Sequence, residues 1–232
     1  MSAAFEAIAR PGRRADLAPL DQVGWLAGEP EAFRDALAAA GRWRRVEAGT
    51  FLYHAGDPPN GLFGLAEGAL DLTFPLGAEE PVTIHRAEIG FWVGDSAELS
   101  QTTRMVSIAA AAPSRLFHVP GPALRRLLDA APERWRSLYR LSALQLGTAV
   151  RLLAESLALT VRARVARRLL LLGAQTGDVS ITQTELAKLV GVTRATLQRC
   201  LAGLEDAGAV KRRYGAVRVT DAATLAGFVD EQ

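Results

Sequence analysis

The chain has 232 residues, of which 49% are hydrophobic and 22% charged, which is enough apolar material for folded cores and too much for a disordered chain. No apolar run approaches the ~18 residues that cross a bilayer, and the charged first residues lack the apolar stretch of a secretory signal. The single cysteine, Cys200, cannot by itself form a disulfide, an iron–sulfur site or a cysteine-type zinc site. We therefore expect a cytoplasmic protein with no membrane contact and no metal site.

The charge is unevenly distributed along the chain. The net charge is +2 overall, but residues 159–232 carry +4 and the remainder −2. A basic C-terminal third favours a polyanion as partner. An ordinary solvated surface has a similar composition, so charge alone leaves both interpretations open.

The composition and spacing of residues in the first half of the chain change near residue 43. Residues 1–28 are rich in Ala, Pro, Gly and charge without periodicity, so we expect a flexible N-terminal arm. A short helix is predicted over 30–40. From about 43 to 119, short β-type segments alternate with closely spaced glycines, which is typical of a small antiparallel barrel or roll. We therefore predict a β-roll sensor domain over 29–131.

A long helix is predicted over 132–158. It opens at Pro132, where proline costs little, and contains no further proline. One stripe has the spacing of a helix–helix seam, and its members are Leu138, Ser142, Gln145, Ala149, Leu153 and Ser156. A helix of this length exceeds what a small roll can cover, so we predict a homodimer seam. Packing on its own domain alone is the alternative.

The segment 159–232 contains the most specific pattern. Thr182 and Glu185 predict a capping box that starts a helix ending before Gly191. Thr193 caps a second helix. Two short helices joined by a Gly-containing turn predict a helix-turn-helix.

The second helix and the segment after it carry side chains suited to DNA. Arg194, Gln198 and Arg199 lie on one face of the helix; Arg suits guanine and Gln suits adenine. The stretch VKRRYGAVRV, 210–219, predicts a hairpin wing with basic residues near phosphates. The predicted DNA-binding residues are Thr182, Thr184, Thr193, Arg194, Gln198, Arg199, Lys211, Arg212 and Arg213. A winged helix that serves protein contacts is the alternative function. Cys200 lies on the inward face, as a small core residue or, less simply, a redox switch.

Two motifs together resemble the Crp/Fnr superfamily of transcription regulators. GTFLYHAGDPPNGLFGLAEGAL, 49–70, is similar to the first strands of a cyclic-nucleotide-binding β-roll, and ITQTELAKLVGVTRATLQRCLAGLEDAGAV, 181–210, to the family's helix-turn-helix. The resemblance implies an α+β fold: an antiparallel β-roll (double-stranded β-helix), a long dimerisation helix and a C-terminal winged helix-turn-helix. It also implies a homodimer that binds palindromic double-stranded DNA and works with RNA polymerase.

The chain departs from this family at the predicted effector pocket. The resemblance places Gly94, Asp95, Arg104 and Met105 there, where a cyclic-nucleotide binder has Gly-Glu for the ribose and Arg-Ser or Arg-Thr for the phosphate. Ala149 and Val150 would meet the purine. We therefore do not expect cyclic AMP to bind in the usual way. The sequence leaves four alternatives open: another small-molecule effector, another anion bound to Arg104, a closed pocket, or an Arg104 that is paired structurally with an acidic residue.

Other chemistries have weaker sequence support. His54, His85 and His118 are candidate haem ligands, but scattered histidines in or beside strands are ordinary in proteins. The sequence has no Gly-rich phosphate loop, paired metal ligands or nucleophile elbow, so we do not expect an enzyme.

Overall fold

The chain divides into two compact units, a first unit of residues 1–147 and a second unit of residues 148–232. The computed structural model describes residues 6–8, 16–77, 80–174 and 177–229. The rest of the predicted N-terminal arm, residues 1–5 and 9–15, lies outside the described residues.

The first unit contains two antiparallel sheets. Its strands are β1 (Glu6–Ile8), β2 (Arg42–Val46), β3 (Phe51–Tyr53), β4 (Leu62–Glu67), β5 (Leu70–Phe74), β6 (Val82–Ala87), β7 (Trp92–Val93), β8 (Ser107–Ala110) and β9 (Ser114–Val119). One sheet has the order β1-β2-β9-β4-β7 and the other β3-β8-β5-β6. All of these strand pairs are antiparallel, so the predicted antiparallel roll is confirmed.

Strand β4 contributes to two cores because side chains alternate across a strand. Phe63 and Leu65 join the core to which both sheets contribute. Leu62 and Ala66 join a second core, shared with the helices of this unit. These helices are α1 (Glu31–Ala40), α2 (Asp95–Ser100), α3 (Gly121–Asp129) and the start of α4 (Trp135–Ala158).

The segment 16–28 belongs to this second core, so the prediction of a flexible arm is wrong there. Leu20 and Leu26 are completely buried, and the indole of Trp25 donates to the Ser137 carbonyl at 2.9 Å. Turns and a short 3-10 helix carry these side chains, and such structures lack the periodicity of a helix or strand.

Helix α4 follows a 3-10 turn at Pro132–Arg134, close to the predicted start. Leu138 cannot contribute to the predicted dimer seam because it is buried, and Ser142 and Gln145, which are half-buried, also contact their own unit. Leu138 is fully buried in the second core of the first unit, Ser142 bonds Asp95 and Gln145 donates to the carbonyl of Trp92. The exposed large apolar side chains lie mainly one residue further along the helix, and those at the relevant spacing are Tyr139, Leu146, Val150, Leu153 and Leu157.

The second unit is a helical domain with a small sheet. After α4 come α5 (Val161–Leu172), β10 (Asp178–Val179), α6 (Gln183–Val190), α7 (Arg194–Asp206), β11 (Val210–Arg213), β12 (Ala216–Val219) and α8 (Ala222–Gly227). The sheet has the order β10-β12-β11, and one hydrophobic core joins it to the helices. Helices α6 and α7 and the β11–β12 hairpin lie where the sequence predicted the helix-turn-helix and its wing.

Candidate DNA-binding surface and effector pocket

Local side-chain caps fix the two helices of the helix-turn-helix. The Thr182 hydroxyl accepts from the Glu185 amide at 3.2 Å, and a Glu185 carboxylate oxygen accepts from the Thr182 amide at 2.9 Å. Thr193 caps α7 by accepting from the amide of Thr196 at 3.2 Å. Gly191 ends α6 at φ +73°, a conformation that L side chains rarely adopt. The predicted capping box and turn are both present.

Helix α7 separates a buried face from an exposed one. Leu197, Leu201 and Leu204 are fully buried, and Cys200 packs half-buried against the same core, as a small apolar side chain would. The exposed face carries three of the predicted DNA-binding side chains, Arg194, Gln198 and Arg199.

Two of these side chains have partners within the motif. Nε2 of Gln198 donates to Oε1 of Gln183, the first residue of α6, at 3.1 Å. Nη2 of Arg199 donates to the Thr196 hydroxyl at 3.3 Å. The sequence pattern pointed to neither Gln183 nor Thr196. The first contact joins residues of two different helices, and the second depends only on the position of Thr196 within its helix.

The wing presents its basic residues unequally. Lys211, Arg212 and Arg213 are all exposed. Of the three, Arg212 also pairs with Glu205 of α7, its Nε lying 2.5 Å from one carboxylate oxygen and its amide donating to the other at 2.9 Å. These hydrogen bonds lower the pKa of Glu205. The contact ties the wing to α7.

A pocket in the first unit collects four of the six predicted effector residues. Gly94, Asp95, Arg104 and Met105 line it, in a volume of about 470 Å³ that includes the open space at its mouth. Tyr53, Leu72, Val93, Ile108 and Gln145 are among the other lining residues. Ala149 and Val150 lie in the second unit, exposed, and are not among the lining residues.

Arg104 is buried in this wall, with 3% of its surface exposed. Its Nη1 donates to the Gly94 carbonyl at 2.7 Å, and its Nη2 to Oδ1 of Asn60 at 2.6 Å and the Gly61 carbonyl at 2.9 Å. The guanidinium lies over the Tyr53 ring, 4.2 Å from its centre. Glu98 approaches Nη2 only to 3.9 Å. Arg104 is therefore held structurally, mainly by carbonyl oxygens.

Gly94 permits this arrangement. Its φ is +103°, and a Cβ there would lie 2.4 Å from the Gly61 carbonyl oxygen and 3.0 Å from Nη1 of Arg104. Any larger residue would therefore displace either the backbone or the guanidinium.

Asp95 is the other charged group of the wall and is 2% exposed. Its Oδ2 accepts from the hydroxyl of Ser142, on α4, at 2.5 Å. Burial raises the pKa of Asp95, and the Ser142 hydrogen bond acts in the opposite direction. Burial also raises the pKa of Tyr53, so its phenol stays neutral.

The three histidines make ordinary contacts on separate elements. His54 stacks on Phe51, and His85 lies against Phe91. His118 stacks on Phe63 and bonds the Asn60 carbonyl at 2.9 Å. The described part of the chain contains no group of three or more His, Cys, Asp or Glu side chains placed to hold a metal ion.

Comparisons with known proteins agree with this geometry. Residues 43–131 match the cyclic nucleotide-binding domain, and residues 163–228 the Crp-like helix-turn-helix domain. No curated protein matches the chain. Among the helices described, none has the length and apolar character needed to cross a membrane.

Solved structures share the fold over most of the chain. FixK2 from Bradyrhizobium japonicum has 16% identity and a TM-score of 0.74, over 83% of this chain and 98% of its own. A Crp/Fnr-family transcriptional regulator from Thermus thermophilus has 21% identity and a TM-score of 0.69, over 82% and 99%. The c-di-GMP-responsive global regulator CLP of Xanthomonas campestris has 21% and 0.67, over 83% and 100%. With both domain types present in this order, the chain belongs to the Crp/Fnr family and is a DNA-binding transcription regulator.

Proposed function

We propose that the protein acts as a homodimer that reads a palindromic DNA site through the exposed face of α7. The observation that carries this is the grouping of Arg194, Gln198 and Arg199 on that face, opposite the buried leucines. An Arg fork matches guanine, and a Gln amide matches adenine. Ala195, exposed between the two arginines, offers no acceptor for a cytosine amine. We therefore expect base readout dominated by purines.

Contacts to the DNA backbone would hold α7 in the major groove. The exposed residues Thr182, Thr184 and Thr193 lie near the starts of α6 and α7, where side chains contact phosphates. Lys211 and Arg213 extend this surface along the wing. Since Arg212 is engaged by Glu205, we assign it the role of bracing the wing.

The exposed stripe of α4 supports the homodimer. Residues at alternating spacings of four and three are exposed along this helix, as in a coiled-coil seam, namely Tyr139, Ala143, Leu146, Val150, Leu153 and Leu157. Among the seam residues that the helical spacing predicts, Ala149, Leu153 and Ser156 are exposed. A two-fold pair would present two α7 helices to half-sites about one helical turn apart. RNA polymerase is the further partner that we propose for this dimer.

We further propose that the first unit senses a small molecule other than cyclic AMP. The pocket combines apolar side chains with a few polar groups, as small-ligand sites do. However, both Nη atoms of Arg104 already donate to protein oxygens, and Asp95 already accepts from Ser142. Met105 cannot supply a hydroxyl to a cyclic phosphate. A cyclic nucleotide would therefore meet an arginine and a carboxylate that the protein already engages.

Binding to a site selected from random duplexes tests the proposal. Arg199→Ala should lose ~1–3 kcal/mol of binding free energy at one symmetric base pair, whereas Arg126→Ala, an exposed arginine of α3, should bind like the wild type. Cyclic AMP should leave the wild-type affinity unchanged. Equal affinity of Arg199→Ala and the wild type would remove α7 as the reading face, and a rise in affinity with cyclic AMP would refute the sensor assignment.

A further inference from the structure

The amides of Gln183 and Gln198 join the two helices of the helix-turn-helix at its solvent side. Gln198 lies on the exposed face of α7, and half-buried Gln183 is the residue that follows the Thr182 cap. The 3.1 Å hydrogen bond runs from Nε2 of Gln198 to Oε1 of Gln183. A residue of α6 thus contacts the amide of a side chain on the reading face of α7.

This direction matters because a glutamine amide has two chemically different ends. One end is an acceptor oxygen, and the other is a nitrogen with two hydrogens. Adenine offers an acceptor, N7, and a donor, its N6 amine, side by side in the major groove. A glutamine recognises both only when its oxygen faces N6 and its nitrogen faces N7.

The bond to Gln183 leaves the groups that adenine needs. It uses one Nε2 hydrogen of Gln198, so the second hydrogen and Oε1 stay available. If the Gln198 amide alone turned over, its oxygen would face the oxygen of Gln183, and the hydrogen bond would be replaced by repulsion. The contact also restricts the side chain before DNA arrives, which reduces the conformational freedom lost on binding.

We propose that Gln183 is a positioning residue that orients Gln198 for bidentate recognition of adenine. This inference rests on the proposed function, since it requires α7 to enter the major groove. Gln183 itself need not touch a base. Its effect is on which base is selected at one position of each half-site, rather than on binding in general.

The test is selection of bound sequences from a random duplex library by the full-length protein and three variants. Gln198→Ala should abolish an adenine preference at one symmetric position. Gln183→Met, which keeps the length of the side chain but not its acceptor, should reduce that preference about three- to tenfold. Gln183→Glu keeps an acceptor oxygen and should retain the preference, although its charge should weaken binding to all sequences. The base selected by Arg199 serves as internal control and should not change.

The outcomes separate this inference from the proposed function. If Gln183→Met selects adenine as strongly as the wild type, the inference is overturned. The proposed function still stands in that case, provided that the variant enriches the same palindromic DNA sequence. A Gln198→Ala protein with unchanged preferences at every position also overturns it. A wild type that enriches no sequence overturns both.

Discussion

The hydroxyl of Ser142 donates a 2.5 Å hydrogen bond to the buried carboxylate of Asp95. This contact connects α4 to the first residue of α2, in the wall of the pocket. At this position the resemblance to cyclic-nucleotide binders leads one to expect a carboxylate that receives a hydroxyl of a ligand. Here a hydroxyl of the protein takes that place, so the pocket wall and the long helix are joined without a ligand.

Removal of this hydroxyl should destabilise the first unit. Ser142→Ala leaves the buried Asp95 carboxylate without its side-chain donor, so we expect a loss of ~1–3 kcal/mol in the free energy of unfolding. Urea unfolding followed by tryptophan fluorescence measures it, because all four tryptophans of the chain lie within residues 1–147. Ser156→Ala, at an exposed position of the same helix, should change stability by less than ~0.5 kcal/mol. Equal losses in the two variants would contradict the account.

His118 should make the first unit less stable in acid. Burial, with smaller contributions from the charges of Arg44, Arg42 and Arg104, lowers the pKa of His118 to about 4 from its ordinary 6.5. The folded state therefore holds the ring neutral. The stability associated with this is present above pH 6.5 and is lost as the pH falls toward 4.

The variant His118→Gln isolates the contribution of His118 to the pH dependence of stability. Between pH 7.5 and pH 5 the wild type should lose roughly 1–2 kcal/mol through His118. The glutamine of His118→Gln does not titrate and keeps a donor for the Asn60 carbonyl. Over the same pH interval, the free energy of unfolding of this variant should therefore fall by about that much less than the free energy of unfolding of the wild type. Parallel pH profiles for the two proteins would show that His118 is not responsible.

The exposed stripe of α4 should hold two copies together. Leu153→Asp places a charge within the proposed seam, where burial without a partner is strongly unfavourable. We expect the dimer dissociation constant, from sedimentation velocity, to rise at least about a hundredfold. Leu144→Asp is the matched control, since Leu144 is 57% exposed and Leu153 60%, but Leu144 lies off the stripe. Dissociation by both variants, or by neither, would argue against this seam.

The wing residues should differ in how they alter the salt dependence of DNA binding. Each phosphate contact contributes about 0.9 to the slope of log affinity against log salt. We expect Lys211→Ala and Arg213→Ala each to reduce the slope by roughly that amount, and Arg212→Ala to leave it near the wild-type value because Arg212 is paired with Glu205. Titrations at several salt concentrations distinguish these cases. An equal reduction for all three would mean that Arg212 leaves Glu205 to contact DNA.

The helix-turn-helix was predictable nearly to the residue because its limits are set locally. Thr182 and Thr193 cap their helices with contacts three residues away, and Gly191 is required by its own backbone angle. Such signals are complete within a short window of sequence.

The orientation of α4 was not predictable in the same way. Two rows one residue apart, one with Leu138 and Ser142 and the other with Tyr139 and Leu146, both show helical spacing. Which row faces its own unit depends on distant partners such as Asp95, 47 residues from Ser142 in sequence. The partners of Arg104 were not predictable either, since two of them are backbone carbonyls that no residue type reveals.

Selection of DNA fragments by the purified protein, with and without an extract of cell metabolites, shows whether a dimer reads DNA through α7. We expect one enriched motif with two-fold symmetry and half-sites about one helical turn apart. We also expect the extract, rather than cyclic AMP, to alter the affinity for this motif. Enrichment of no motif, or of one without symmetry, would contradict a dimeric regulator that reads DNA with α7.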